Sequence, residues 1–224
     1  ESGATLFSGL GDDQLFGRWI REHDLDVTID WIDPLVEYRS PRLALTFERE
    51  RASWTRQLLE LPGAPRESLA RLLDFQERTA NTLWSTLEDP RALPPFDVPA
   101  FLAHAARLPE WAPILRWAGK SLDQLLARYA LADFAPLREL WNALCQITVQ
   151  CDITRAEAPF ALAAADYYQR GTGHVRDGIG RLATALCGAI ERLGGEVRYK
   201  RRVRCVEPDD REVECHASAW DVEW

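Results

Sequence analysis

Apolar residues recur at three- and four-residue steps through most of this chain and at two-residue steps only in short stretches toward its ends. That mixture predicts an α+β fold that is mainly helical, with little sheet. Leu15, Phe16, Trp19 and Ile20 share one helical face that runs out near His23, and Asp12 and Asp13 stand just ahead as N-cap candidates. Stretches 27–32, 35–38 and 43–47 are rich in β-forming residues and are separated by Pro34 and by Ser40-Pro41. They read as an antiparallel sheet of two or three strands.

From residue 48 to about 165 the helical period takes over. Trp54, Leu58 and Leu61 mark one helix, and Leu69, Leu72, Leu73, Gln76, Ala80 and Leu83 mark the next, with Pro62 and Pro65 between them. Pro90, Pro94, Pro95 and Pro99 break the chain before a shorter helix that opens with Phe101 and Leu102. Ser121 is placed to cap a helix carrying Leu122, Leu125, Leu126 and Tyr129, and Asp133 one carrying Leu137, Leu140, Trp141 and Leu144. No repeat period links these helices, which excludes a solenoid.

The stretch 167–206 carries three parts in a fixed order. A loop punctuated by Gly171, Gly173, Gly178 and Gly180 leads into a helix from Ile179, with Leu182, Ala183, Leu186, Ile190 and Leu193 at helical spacing. Gly194-Gly195 stops that helix, since glycine accepts the left-handed conformation at a C-terminus. Val197, Tyr199, Val203 and Cys205 then fall on alternate positions, the period of a half-buried strand. Two β-like runs, 203–207 and 212–216, flank Pro208-Asp209-Asp210-Arg211 and predict a hairpin.

Composition narrows the class. A hydrophobic fraction of 46% with 28% charged residues is that of a globular protein, and 224 residues suffice to bury a core. A net charge of −8 excludes general nucleic-acid binding. The local exception is a basic strip of Arg198, Lys200, Arg201, Arg202 and Arg204, read either as a solvated strand face or as a local anion contact. Five cysteines without a C-x-x-C pair suit neither a disulfide framework nor a structural zinc site. No apolar run is long enough for a membrane-spanning helix, so a cytoplasmic protein is expected, with peripheral membrane contact left open. The chain opens on Glu1, contains no methionine and ends on Trp224, and reads as a piece of a longer protein.

Few residues carry chemistry. His23, His104, His174 and His216 stand far apart without a second metal ligand at helical or turn spacing, which argues against a metal site. Ser8 and Ser85 lack the nucleophile elbow of a hydrolase. Paired acids such as Asp12-Asp13 and Glu88-Asp89 sit at expected caps and turns. Gly171-x-Gly173 is not a dinucleotide loop, because Arg176 stands where its third glycine would be. No catalytic acid, base or nucleophile stands out.

The run from Tyr167 through the glycine loop, the helix, Gly194-Gly195-Glu196 and the strand to Val206 resembles a region of the FAD-dependent phytoene desaturase and carotenoid isomerase family, within the flavin amine oxidoreductase superfamily. The opening segment from Gly3 to Gly11 is similar to that family's Asp-x-Gly-Pro-Ser/Thr segment. Two departures stand out: Glu1 in place of Asp, and Gly171-Thr172-Gly173-His174 in place of a Gly-Gly-Met type run. The resemblance implies a flavin-domain piece at 1–12, a helical substrate domain with a small sheet at 13–166, and helix and strands returning to the flavin domain at 167–224. It implies an FAD-dependent oxidoreductase that desaturates or isomerises a long apolar polyene or related lipid, with the dinucleotide motif upstream, so that this stretch alone is inactive and holds no FAD. It also implies FAD contacts at Gly3, Ala4 and Thr5 and at Val203, whose backbone N–H and C=O meet the adenine edge; otherwise Val203 is a core strand residue. The expected partner is a small apolar substrate in a groove between Trp54 and Trp141. Two alternatives stand beside this reading: a helical interaction or ligand-binding module without redox activity, and an amine-oxidising flavoenzyme.

Overall fold

The computed structural model describes residues 7–89, 98–208 and 213–219. Gly3, Ala4, Thr5, the prolines Pro90, Pro94 and Pro95, and the turn residues Asp209, Asp210 and Arg211 lie outside these. The described residues form a mainly helical α+β structure with three two-stranded antiparallel sheets.

Helix α1 spans Leu15–Glu22, but its N-cap is Gln14 and not one of the aspartates. The reason is a turn closed by Gln14 N–H donating to Gly11 C=O at 2.8 Å, which takes Asp12 and Asp13 out of capping position. Their carbonyls instead accept from Arg21 and Arg18. Strand β1, Ile29–Asp30, does not join the next two strands. Pro34 offers no N–H to a ladder, and the chain beyond it forms its own hairpin of β2, Val36–Arg39, and β3, Ala44–Phe47, in the register Val36 to Phe47. Leu43, Leu45 and Phe47 alternate into the core, as strand periodicity requires. Helix α2, Arg51–Leu59, covers the hairpin edge, where the Gln57 side-chain amide both donates to and accepts from the backbone of Thr46 at 2.9 Å. A side chain thus satisfies strand groups that an edge leaves unpaired.

Helix α3, Arg66–Leu87, buries Leu69, Leu72, Leu73, Ala80 and Leu83 along one side, as the spacing predicts. After α4, Val98–Ala106, with Pro99 in its first turn, comes α5, Leu108–Leu115, which sequence reasoning did not separate. Helix α6, Leu122–Arg128, opens on a complete capping box between Ser121 and Gln124. Helix α7, Ala135–Thr148, is capped by Phe134, with Pro136 in its first turn, so Asp133 is not the cap. Helix α8, Ala158–Ala165, packs against α3, α6 and α7. Its run of alanines shows no amphipathic period because almost every face is buried, and small side chains let three helices approach one backbone.

A 3-10 turn at Asp166–Gln169 leads to strand β4, His174–Val175, which pairs with β1. Helix α9, Ile179–Arg192, buries Leu182 and Ala189, whereas Ile190 and Leu193 face outward. Gly194 has φ +88°, its N–H reaches Glu191 C=O at 3.0 Å, and Gly195 N–H reaches Ile190 C=O at 2.9 Å. These two bonds are a Schellman motif, the glycine stop read from sequence. Strand β5, Arg201–Pro208, starts later than the alternation from Val197 predicts; it pairs with β6, Val213–Ala219, with a register shift between Val203 and Cys205.

Among the described residues two apolar cores result. The larger joins the β2–β3 hairpin to α2, α3, α6, α7 and α8 around Trp54, Leu72, Leu125 and Trp141. The smaller joins Leu10, Leu25, Val175, Leu182 and Ala189.

Candidate functional site

The two motif stretches that lie at opposite ends of the sequence are neighbours in space. Phe7 and Gly173 exchange backbone hydrogen bonds at 3.1 and 2.9 Å, Gly9 N–H donates to Arg170 C=O at 2.6 Å, and Leu10 N–H to Gly171 C=O at 3.1 Å. Glycine is needed where they touch. Gly171 has φ +54°, and a Cβ there would collide with the backbone nitrogen of Gly11 and the Gln14 side chain. Alongside, Arg176 makes a two-pronged ion pair with Asp30, at 2.5 and 3.2 Å, which bridges β4 to β1 and holds the Asp30 carboxyl below the usual carboxylate range.

A buried polar cluster anchors this junction to the helical layer. The Asp166 side chain has no exposure, and its Oδ1 accepts from Arg51 and, at 3.1 Å, from Gln76. Its Oδ2 lies 2.5 Å from Arg170 without directed hydrogen-bond geometry, so charge holds that pair. Gln76 also donates to Leu162 C=O at 3.1 Å, and Arg170 reaches Asn81 Oδ1 at 2.6 Å. Asp166, Gln76 and Arg170 thus tie α8, α3 and the glycine loop together.

Asn81 belongs equally to a cleft of about 640 Å³ between α3, α5 and the end of α6. Phe75, Pro109, Pro113, Ile114 and Tyr129 make its apolar lining, and Arg78, Asn81, Thr82, Ser85, Glu110 and Arg116 its polar part. The Phe75 and Tyr129 rings stack at 6.2 Å. Burial pushes the Tyr129 hydroxyl up, against the opposing pull of Arg116, Arg78 and Arg71. Arg107 spans the rim from Ser85 Oγ at 2.7 Å to Glu110 at 3.3 Å. The volume and mixed lining are those of a small-ligand site.

Sequence reasoning expected an apolar groove among the helices between Trp54 and Trp141; the cleft seen there has a lining that is polar as well as apolar. Sequence reasoning also missed Asp166, whose sequence neighbours give no sign of its burial. Val203 lies in β5 opposite Ala217, beside the register shift. Among the described residues β5 has a ladder only with β6, which leaves one edge of its backbone without a described partner. No cluster among the described residues could hold a metal ion, and no helix there is long and apolar enough to cross a membrane. Burial first of all pushes the Cys145 thiol up to about 12, which makes it an unreactive core residue.

For a flavin, the fit of the described residues is limited. The Gly171 crevice is filled by the backbone of Gly11 and leaves no space for a cofactor. What remains is the β5 backbone. No curated protein matches the chain. The sequence profile described as flavin containing amine oxidoreductase matches residues 1–223. A match over nearly the whole length, with the two motif stretches packed against each other, means that this chain belongs to the flavin-containing amine oxidoreductase family, whose members are flavin-dependent oxidoreductases.

Proposed function

We propose that the chain provides the substrate-binding part of an FAD-dependent oxidoreductase acting on a long apolar polyene or related lipid, by desaturation or isomerisation. The observation that carries this reading is the cleft: Phe75, Ile114, Pro113 and Tyr129 offer apolar surface, and Asn81 joins its wall to the loop packed on the N-terminal segment. In this reading 1–12 and 167–224 belong with the flavin domain and 13–166 with the substrate. Bound flavin supplies the hydride acceptor, while the chain positions the substrate and excludes water. Phe101 and Leu102, exposed at 68% and 62% on α4, suit a peripheral membrane contact through which a lipid substrate would arrive.

The polar part of the cleft favours a second reading, an amine-oxidising flavoenzyme. Presenting a polyene and an aliphatic amine separately to the full-length flavin-loaded protein separates the two. Chromatography should show the polyene desaturated or isomerised and the amine unchanged; turnover of the amine alone would replace the first reading by the second.

Val203 carries the cofactor half of the proposal. Recognition through backbone groups tolerates a changed side chain but not a lost N–H. In the full-length protein, Val203→Ala is expected to retain most of its bound flavin and Val203→Pro to lose it, as read from the absorbance of purified protein with native far-UV circular dichroism. Equal retention in both folded variants would return Val203 to a packing role. Gly3, Ala4 and Thr5 complete the proposed FAD contacts.

A further inference from the structure

The charges around the cleft are unevenly satisfied. Glu110 is paired with Arg107 at 3.3 Å, and Arg78 with Asp74 at 2.7 Å. Arg116 lines the cleft at the C-terminus of α5, is exposed, and makes no ion pair among the described residues. Its guanidinium lies 5.9 Å from the centre of the Phe75 ring, over the aromatic wall that Phe75 forms with Tyr129. With each carboxylate lining the cleft already paired, the cleft presents one cation without an ion-pair partner among the described residues, beside an apolar wall that includes the half-buried Tyr129 ring.

We infer that this cleft receives an amphipathic carboxylate: an apolar body lies against Phe75, Pro113 and Ile114, and the anionic end meets the Arg116 guanidinium, with the Tyr129 hydroxyl as a second donor. A guanidinium offers paired N–H donors that match a carboxylate, and charge-assisted bonds of this kind are roughly twice as strong as neutral ones. The phenol suits this role because it is protonated at neutral pH, burial only raising its pKa further, and a protonated phenol donates to an anion where a phenolate would repel it. A neutral hydrocarbon gains nothing from Arg116, so the inference narrows the substrate class from apolar lipids in general to apolar acids. It rests on the reading that this cleft is where the apolar substrate binds.

The test compares dodecanoate with dodecanol, of equal chain length, on the full-length flavin-loaded protein by titration calorimetry below their aggregation limits. Dodecanoate is expected to bind about tenfold more tightly than dodecanol. Arg116→Gln should abolish that preference and leave dodecanol affinity unchanged, while Arg116→Lys should keep part of it. Arg116 is exposed, so these variants leave the core intact. Equal binding of acid and alcohol by the wild type, or a preference that survives Arg116→Gln, overturns the carboxylate assignment and leaves the apolar cleft standing. Binding of neither ligand overturns both.

Discussion

Replacing Asp166 with alanine is expected to destabilise the protein by about 3–5 kcal/mol, the range for removing one partner of a buried ion pair. The carboxylate has no exposure, and the guanidinium groups it faces are largely covered, at 22% exposure for Arg51 and 18% for Arg170. Alanine would leave Arg170 without a carboxylate partner among the described residues and the Gln76 amide without its side-chain acceptor, while Arg51 would keep only the half-exposed Glu77 at 3.3 Å. Unpaired charge in a low-dielectric setting is costlier than the lost attraction alone, which is why the effect exceeds that of an ordinary surface ion pair such as Arg39 with Glu37. Urea unfolding of the single variants Asp166→Ala and Arg51→Ala and of the double variant checks both size and origin. If the cluster is the cause, the double variant should cost less than the sum of the singles. A loss below about 1 kcal/mol for Asp166→Ala would show that water or rearrangement relieves the cations.

How far the sequence reveals this structure depends on whether a signal is local. The capping box at Ser121 and Gln124, the glycine stop after α9 and the buried face of α3 are each written within a few residues, and each is found where the pattern places it. Pairings between distant segments are not written that way. The union of β1 with β4 depends on Pro34 ending one ladder and on residues 174–175 arriving from the far end of the chain. Helix α8 lies within the stretch read as helical, but its boundaries are hidden for the opposite reason: buried on all sides but that of Phe160, its alanines show no amphipathic period. On α9 the apolar spacing overstates burial, since the small core is wide enough only for Leu182, Ala185, Leu186 and Ala189.

The candidate site divides along the same line. The resemblance assigns the N-terminal glycine segment and the stretch from Tyr167 onward to one flavin domain without saying that they touch; the hydrogen bonds of Phe7, Gly9 and Leu10 to the loop are visible only in the structure. The cleft is a product of packing. Phe75, Tyr129 and Arg116 come from three separate segments and look in sequence like a core residue, a helix end and a surface cation. Only their meeting gives the cleft an apolar wall and a free charge.

The junction itself offers the sharpest contrast between two glycines. Gly171 and Gly194 both adopt positive φ, +54° and +88°, so alanine at either position meets the left-handed penalty of about 1–2 kcal/mol. At Gly194 nothing lies within 4 Å of an added Cβ, and the cost should stop there. At Gly171 the same atom runs into the Gly11 backbone, which cannot swing aside as a flexible side chain would, because the neighbouring Leu10 N–H is bonded to Gly171 C=O at 3.1 Å. Overpacking adds a further penalty of about 1–3 kcal/mol, so Gly171→Ala is expected to cost about 2–5 kcal/mol against about 1–2 for Gly194→Ala. Paired urea denaturation curves on the two variants give the comparison directly. Equal losses would mean that the N-terminal segment yields freely, and the close seam between the two motif stretches would then contribute little to the fold. A large difference confined to Gly171 means the seam is rigid, and a rigid seam is what holds the cleft wall at Asn81, through Arg170, in a fixed position relative to the N-terminal segment.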